Sequence, residues 1–399
     1  MTHAASASEH SFVVAGGGIG GLAAALCLAR AGKRVALLEK APAIEEVGAG
    51  LQITPNAGRV LQGLGLCEEL AAAALLPQAI VIRRVKDGAE LSRLSLADAP
   101  ERWGAPFRLF HRADLQQLLL RAAQAHENIA IRTNARVGDF DEEDGAVCLR
   151  VHGPGGAEDI EAAGLVGADG VRSSVRSFLL REERDLPFYS GHTAWRTLLP
   201  AEAVPEALRA MATNLWLGKG AHVVHYPLRG GEIVNALVVI EDGQATPPNF
   251  PAELDGARLL LEARFTPCAG PLRELIEAGH GWRRWPLFGR PALKTWSRGA
   301  VTLLGDAAHP MVPFLAQGAA QAIEDAEALG RALEAGATPA AAFARYERAR
   351  IARATKIQSG SRRQGNYFHA GFPLAPARDL VMRSIGGAGM LARNAWIYR

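Results

Sequence analysis

The apolar positions of the chain obey a different rule in each stretch, and the changes of rule divide it into elements. Phe12 to Ala15 is a short unbroken apolar run, the pattern of a strand buried on both faces. Leu22 to Arg30 has helix-forming composition, Gly32 punctuates its end, and Arg34 to Glu39 reads as a second strand. Ala41 to Gly50 is a loop, and Pro55-Asn56 opens a helix carrying Val60, Leu61 and Leu64. Ile80 to Val85 and Ala89 to Leu96 alternate about Asp87-Gly88, a hairpin signal. Arg112 to Gln124 carries Leu115, Leu118 and Leu119 at helical spacing, after a strand end at Phe107 to His111. Ile129 to Arg132, Ala135 to Asp139 and Val147 to Val151 read as strands of one small sheet.

From Leu186 to about Trp285 strand patterns dominate: Thr193 to Leu199, Thr213 to Leu217, His222 to Pro227 and Glu232 to Ile240, with a helix near Ala257 to Arg264. Alternation puts His222, Val224 and Tyr226 on one face and His225 on the other. A fully apolar strand, Val301 to Leu304, then leads through a proline-rich loop to a long helix with Ile323, Ala326 and Leu329 on its inner side. Tyr346 to Arg399 reads as basic and helical, with turns around Gly371 to Pro376.

Chemistry enters at the first turn. Between strand and helix stands Gly16-Gly17-Gly18-Ile19-Gly20-Gly21, with Gly16, Gly18 and Gly21 in G-x-G-x-x-G spacing. Gly16 permits the tight turn, Gly18 lets a pyrophosphate approach the backbone, and Gly21 lets the helix pack on the strand. Glu39 ends the second strand about 20 residues on, where a carboxylate accepts hydrogen bonds from ribose hydroxyls. The stretch predicts a dinucleotide site and leaves FAD and NAD open; Glu39 would repel a 2′-phosphate. Gly48 and Gly50 suit close approach to a ligand, with a plain connector as the competing reading.

Two later stretches offer acids at strand ends. In Leu165 to Arg176, Asp169-Gly170 follows an apolar strand and precedes a helix; an ordinary turn is the rival reading. In Ala300 to Leu333, Asp306 follows the apolar strand, where ligands bind in open α/β sheets, and Gln317-Gly318-Ala319 starts a helix aimed at the same crevice. Gly387-x-Gly389-x-x-Ala392 imitates the nucleotide motif but has no second strand or acid after it, and is discarded.

Composition narrows the classes. The 399 residues suit two or three structural units, and 49% hydrophobic with 21% charged residues is ordinary for a soluble globular chain. A net charge of +3 and no basic run with aromatics argue against nucleic acid. Cys27, Cys67, Cys148 and Cys268 are scattered without C-x-x-C, which argues against a metal or disulfide framework and fits a reducing cytoplasm. No run has the length of a membrane span, and MTHAASASEH lacks a signal-peptide apolar region.

GGGIGG with Glu39, GADGVRSSVR and GDAAHPMVPFLAQG, in this order and spacing, resemble the three motifs of the FAD-dependent, single-component (class A) aromatic hydroxylases. GAGLQITPNA, HRADL, HVVHYPL and AQGAAQAIEDA are most similar to the branch of salicylate 1-hydroxylase, 3-hydroxybenzoate 6-hydroxylase and 6-hydroxynicotinate 3-monooxygenase. The resemblance implies an α/β fold: a Rossmann-like FAD-binding domain of the p-hydroxybenzoate hydroxylase type, an inserted, mostly antiparallel β substrate domain, and a C-terminal helical segment. The expected division is 1–78, 104–185 and 286–350 for FAD, 79–103 and 186–285 for substrate, and 351–399 for the helical segment.

The resemblance also implies roles. Non-covalent FAD is held by the glycine turn (Gly16, Gly18, Gly21), by Glu39 at the adenosine ribose, by Gly50, by Arg112 and Asp169 near the pyrophosphate, by Asp306 at the ribityl chain, and by Gly318 and Ala319 at the isoalloxazine. His222 and Gln317 line the substrate pocket, and Tyr226 matches a pocket tyrosine. NADH or NADPH serves as co-substrate without a Rossmann site of its own. The implied reaction is hydroxylation of a small phenolic acid by dioxygen through a flavin C4a-hydroperoxide, in a monomer or homodimer. As base for the phenol the expected residue is His222, with His225 second and Tyr226 bonding the substrate; His309 reads as fixing its loop, and Met311, Phe314 and Leu315 as an apolar wall. A flavoenzyme without oxygenation, or one acting on a non-carboxylated substrate, is the alternative; a nicotinamide dehydrogenase and a non-catalytic flavin-binding protein are further rivals.

Overall fold

The computed structural model describes residues 12–45, 49–143, 145–180, 185–243, 252–253, 256–334 and 336–399. Gly48 lies outside them. The strand Phe12–Ala15 sits inside a six-stranded sheet, between Gly164–Gly167 on one side and Val35–Leu38 on the other. The sheet continues through Val301–Leu303 to Ser297–Arg298 at one edge and to Ile129–Arg132 at the other. Every pairing is parallel except the edge pair Ser297–Arg298 with Val301–Leu303. Such strands bury both faces, which is why the central ones read as unbroken apolar runs. The helix Ile19–Arg30 is buried along Leu22 to Ala29, pressed against the helix Gly318–Glu334. A Cβ at Gly330 would stand 2.9 Å from the Cys27 carbonyl oxygen, so that glycine sets the helix spacing.

One expected grouping is corrected here. Ile129–Arg132 pairs with Val35–Leu38 in the main sheet, while the small sheet is Arg136–Glu143, Ala146–Gly153 and Gly156–Ala162. The third of these strands is largely exposed and polar, so no apolar period announced it.

A second sheet has eight strands. In spatial order they are Ala252–Glu253, Arg283–Gly289, Phe188–Pro200, Ile233–Glu241, Ala221–Leu228, Ala212–Gly218, Ala79–Arg84 and Glu90–Ser95. The hairpin of residues 79–95 joins by a parallel pairing of Ala79–Arg84 with Ala212–Gly218; the other pairings are antiparallel. Arg283–Gly289 runs through position 285, where the sequence had suggested a boundary. Helices Ala257–Phe265 and Gly270–Ala278 cover one face, burying Leu261, Leu272 and Leu275 with Trp216 and Val238. The other face turns inward, toward Phe314 and Phe368.

The helices Pro339–Phe368 and Leu374–Tyr398 close the molecule, the second broken at Gly386 (φ 66°). A Cβ at Gly387 would run into the Arg93 carbonyl, so this glycine of the discarded nucleotide motif is there to seat the helix on the strand Glu90–Ser95. A separate antiparallel pair, Gly50–Ile53 with Arg108–His111, is tied to the eight-stranded sheet by Gly50, whose N–H donates to Asn235 Oδ1 at 2.8 Å.

Candidate active site

Between the two sheets lies a cavity of about 470 Å³. The glycine turn forms one end, and its three motif glycines do different work. Gly16 has φ 111° and a Cβ there would stand 2.5 Å from the Ala168 carbonyl oxygen; a Cβ at Gly21 would collide with the Gly16 carbonyl. Both are packing requirements. Gly18 has an ordinary φ of −72°, faces open space and lines the cavity. It starts the helix Ile19–Arg30 with no side-chain cap, so the free N–H groups and positive end of the helix dipole are offered to a ligand.

The other predicted contacts fall into two groups. Gly50, Arg112, Asp306, Gly318 and Ala319 line the same cavity as Gly18. Gly318 also faces open space at the start of its helix. Glu39 and Asp169 stand behind the wall. Glu39 Oε2 accepts the Gly17 N–H at 2.7 Å and Oε1 accepts the Ala41 N–H at 2.9 Å, so the acid clasps the glycine turn from outside. Asp169 accepts from the Ser173 hydroxyl and from the N–H groups of Ser174 (2.7 Å) and Val175 (3.3 Å), capping the helix Ser174–Leu180. Burial holds its carboxyl above the usual range, partly offset by these bonds. Ala168 and Gly170, on either side of it, reach the cavity.

Asp306 is deep in the molecule yet exposed, because the surface it presents is the cavity's. That depth raises its carboxyl above the usual range, with His309 and Arg112 pulling the other way. Its turn is held from two sides. Arg176 donates to the carbonyls of Ala307 (3.1 Å) and Ala308 (3.0 Å) while paired with Asp185. Asp325 accepts from the Gly305 N–H (3.1 Å), His309 Nε2 (2.5 Å) and Arg350 Nε (2.7 Å). His309 therefore fixes its loop. Asp325, fully buried, is held down at about 2: burial opposes this, and His309 and Arg350 overcome it. Arg176, Asp325 and Arg350 escaped the sequence reading; a charge among apolar helix positions was the available signal.

The inner face of the eight-stranded sheet is the opposite wall. Arg196, Leu237, Val224, Leu215 and Ile82 are register partners in one row across five strands, and all five line the cavity. His222 and Tyr226 flank Val224 on that face, as alternation required. His222 is buried, its Nδ1 2.7 Å from His369 Nε2 and its ring edge-on to Phe314. Burial, then the neighbouring His369 and His192, push it well below the usual imidazole range, so it is neutral. Tyr226 packs against Gly50, where a Cβ would stand 2.5 Å from its hydroxyl; burial raises its phenol, and Arg196 opposes this. Arg196, its guanidinium 5.7 Å above the Trp285 ring, was also missed, although it interrupts an apolar strand.

Two expectations are corrected. His225 faces away from the cavity, fully buried beside Trp216, pushed down to about 3 by burial and by Arg83. Gln317 does not line the cavity. The chain passes through left-handed Ala316 (φ 52°), and the Gln317 side chain turns into a buried network: it donates to Thr54 Oγ1 at 2.9 Å and accepts from Asn56 at 3.1 Å and Gln321 at 3.2 Å. Both acceptor sites of its oxygen and one of its two N–H donors are used in joining the helix Pro55–Gly63 to the helix Gly318–Glu334.

The sequence profile described as "FAD binding domain" matches residues 9–265 and 272–361. The chain belongs to the FAD-dependent aromatic hydroxylase family. It is 37% identical over 393 residues to 3-hydroxybenzoate 6-hydroxylase 1 of Aquipseudomonas alcaligenes, covering 98% of each chain. It is 39% identical over 403 residues to 3-amino-4-hydroxybenzoate 2-monooxygenase PtnB3 of Streptomyces platensis, covering 100% of this chain and 98% of that one. In structure it is similar to a variant of Klebsiella pneumoniae HpxO complexed with FAD, with a TM-score of 0.86, 25% identity and 98% of each chain covered. The protein is thus a FAD-dependent aromatic monooxygenase of the p-hydroxybenzoate hydroxylase fold. The cavity fits FAD: two glycines whose missing side chains leave open space, an uncapped helix start for a pyrophosphate, and a carboxylate at a strand end for ribityl hydroxyls. Among the described residues no helix is long and apolar enough to cross a membrane.

Proposed function

We propose that this monooxygenase uses NADH or NADPH and dioxygen to hydroxylate a small phenolic acid bound over the inner face of the eight-stranded sheet. In this reading the six-stranded sheet carries the cofactor and the eight-stranded sheet the substrate. Bound FAD supplies the redox chemistry: electrons taken from NAD(P)H activate dioxygen, one oxygen atom going to the ring and the other to water. The observation that carries the substrate class is Arg196 beside Tyr226 and in line with Val224, on the wall facing Gly318 and Asp306. A guanidinium at the end of an otherwise apolar row, Leu237, Val224, Leu215 and Ile82, is suited to a carboxylate, and Tyr226 adds a hydroxyl within the same pocket.

His222 deals with the phenol. Its imidazole is neutral, so it accepts a hydrogen bond from the ring hydroxyl, and partial removal of that proton makes the ring carbons more nucleophilic. With its Nδ1 proton donated to His369 Nε2, His222 keeps the lone pair of Nε2 for the phenol. Met311, Phe314 and Leu315 keep water from the reacting centre. Gly18, Arg112, Asp306, Gly318 and Ala319 hold the cofactor directly. Glu39 and Asp169 act on it through the turns that they brace; each Glu39 oxygen accepts one backbone N–H and keeps a lone pair with which to accept from a ribose hydroxyl.

The test is a panel of salicylate, 3-hydroxybenzoate, 4-hydroxybenzoate, 6-hydroxynicotinate and 3-amino-4-hydroxybenzoate, run with each nicotinamide cofactor and followed by cofactor oxidation and product mass. At least one acid should gain a single oxygen atom. Cofactor oxidation with no oxygenated product from any of them would leave a flavin reductase or oxidase instead.

A further inference from the structure

Behind His222, away from the cavity, three metal-ligating side chains converge from distant parts of the chain. His192 and Glu241 are direct register partners across the strands Phe188–Pro200 and Ile233–Glu241. His369 caps the helix Pro339–Phe368. Both arms are pinned to one residue: the Gly220 N–H donates to the His369 carbonyl at 3.0 Å, and the Glu241 N–H donates to the Gly220 carbonyl at 2.9 Å. One ligating atom from each of the three side chains lies within 4.8 Å of the others. His369 Nδ1 is 3.7 Å from Glu241 Oε2.

The strongest pointer is an unused nitrogen. His369 is 6% exposed, and its Nδ1 has no hydrogen-bond partner among the described residues. A buried polar atom of this kind is costly unless something occupies it. The outer contacts already have the form that metal sites need. His192 Nδ1 is 2.9 Å from the Ser190 carbonyl, which makes Nδ1 the donor and leaves the lone pair on Nε2. An ion at Nδ1 fixes the His369 proton on Nε2, which donates to His222 Nδ1; in that tautomer His222 cannot accept the phenol proton, so the ion-bound state is the resting, non-hydroxylating one. Glu241 is 55% exposed and gives an ion a route from solvent. Ligand atoms about 2.0–2.1 Å from a tetrahedral ion stand roughly 3.3 Å apart, so shifts on the order of 1 Å close the set.

We propose that His192, Glu241 and His369 form a site for a divalent first-row transition ion of the Zn²⁺ type, with water completing the tetrahedron. Two imidazoles and a carboxylate suit Zn²⁺ or Co²⁺ over Mg²⁺ or Ca²⁺, which want an all-oxygen shell. The scattered cysteines had argued against a metal, but cysteine spacing tests only thiolate sites.

The test uses tag-free, FAD-loaded protein titrated with Co²⁺. Tetrahedral binding gives visible bands at longer wavelength than the flavin, and Zn²⁺ should abolish them. Elemental analysis after gel filtration in Zn²⁺ should find one ion per chain. Glu241→Gln and His192→Asn should each weaken Zn²⁺ roughly 10-fold or more, while His280→Asn, a histidine outside the cluster, should not; flavin absorbance reports that each variant is folded. Zn²⁺ binding unaffected by both cluster variants, or no retained ion in the parent protein, would overturn the site.

Discussion

His222 Nδ1 and His369 Nε2 stand 2.7 Å apart, so the wall of the cavity is hydrogen-bonded to the end of a helix 147 residues further along the chain. The bond links two imidazoles that burial keeps neutral. His369 is pushed down to about 4 by burial, with His192, Arg264 and Arg378 adding to it.

A pH dependence of stability follows. His222, His225 and His369 are neutral when folded, whereas in the unfolded chain they titrate near 6.5. Their contribution is present above 6.5 and is lost as pH falls, down to about 4 for His369 and about 3 for His225, by at most about 1.4 kcal/mol per pH unit for each histidine. Urea midpoints should drop between pH 7.5 and 5. His225→Gln, which removes one such group outside the site, should flatten the drop; an equal drop in parent and variant would exclude this account.

Gly18→Val should fold and fail to keep its cofactor. The backbone at Gly18 (φ −72°, ψ 177°) admits any side chain, and a Cβ there meets nothing within 4 Å. The valine would occupy the space the pyrophosphate needs. Full flavin absorbance in the purified variant contradicts the expectation.

Asp325→Asn should damage both stability and FAD retention. The change removes one of the two carboxylates paired with Arg350, leaving it Glu324 and the neutral Gln321, and weakens the hold on the Gly305 N–H. Breaking a buried pair costs about 3–5 kcal/mol. Denaturant melts report the first effect and FAD titration the second; Glu347→Gln, which bonds the N–H groups of Trp296 and Ser297 away from this turn, should affect FAD far less.

Arg196→Met should keep FAD and lose the acid. A charge-assisted bond worth about 1.5–3 kcal/mol corresponds to a rise in substrate KM on the order of 10- to 100-fold. The loss should be selective: a phenol lacking the carboxylate should be turned over equally by parent and variant. A uniform loss on both substrates speaks against a carboxylate contact.

His222→Ala should retain FAD while hydroxylation slows on the order of 100-fold and peroxide release rises. Product yield per NAD(P)H equal to that of the parent removes His222 from the chemistry.

How far the sequence reached depends on the residue. The glycine turn was legible because each glycine answers a local steric demand: Gly16 and Gly21 are forced by backbone contacts a few residues away or one strand across. Asp306 was legible because a parallel strand ends where ligands bind. His222 and Tyr226 were legible because a strand alternates, and the same rule, with Val224 between them, gave His225 the opposite face.

The misses share a different cause. Gln317 was read as a pocket residue, but the left-handed turn at Ala316 sends its amide to Thr54 and Asn56, more than 250 positions away. Asp169 and Glu39, expected at the ligand, are a different case: both carboxylates accept neighbouring backbone N–H groups and so brace the turns beside the cavity. Arg196 became a site residue only when Leu237, Val224, Leu215 and Ile82 aligned beside it.

The sequence by itself determined the backbone that this protein can adopt: where strands end, where a helix start is left uncapped, and where no side chain fits. These follow from dihedral sterics and from periods of 2 and 3.6, which act within a few residues. Which charges meet in the interior, which imidazoles touch and which side chains share a cavity were decided only by the tertiary structure. Burial and register are properties of pairs of segments, and no segment carries its partner's position.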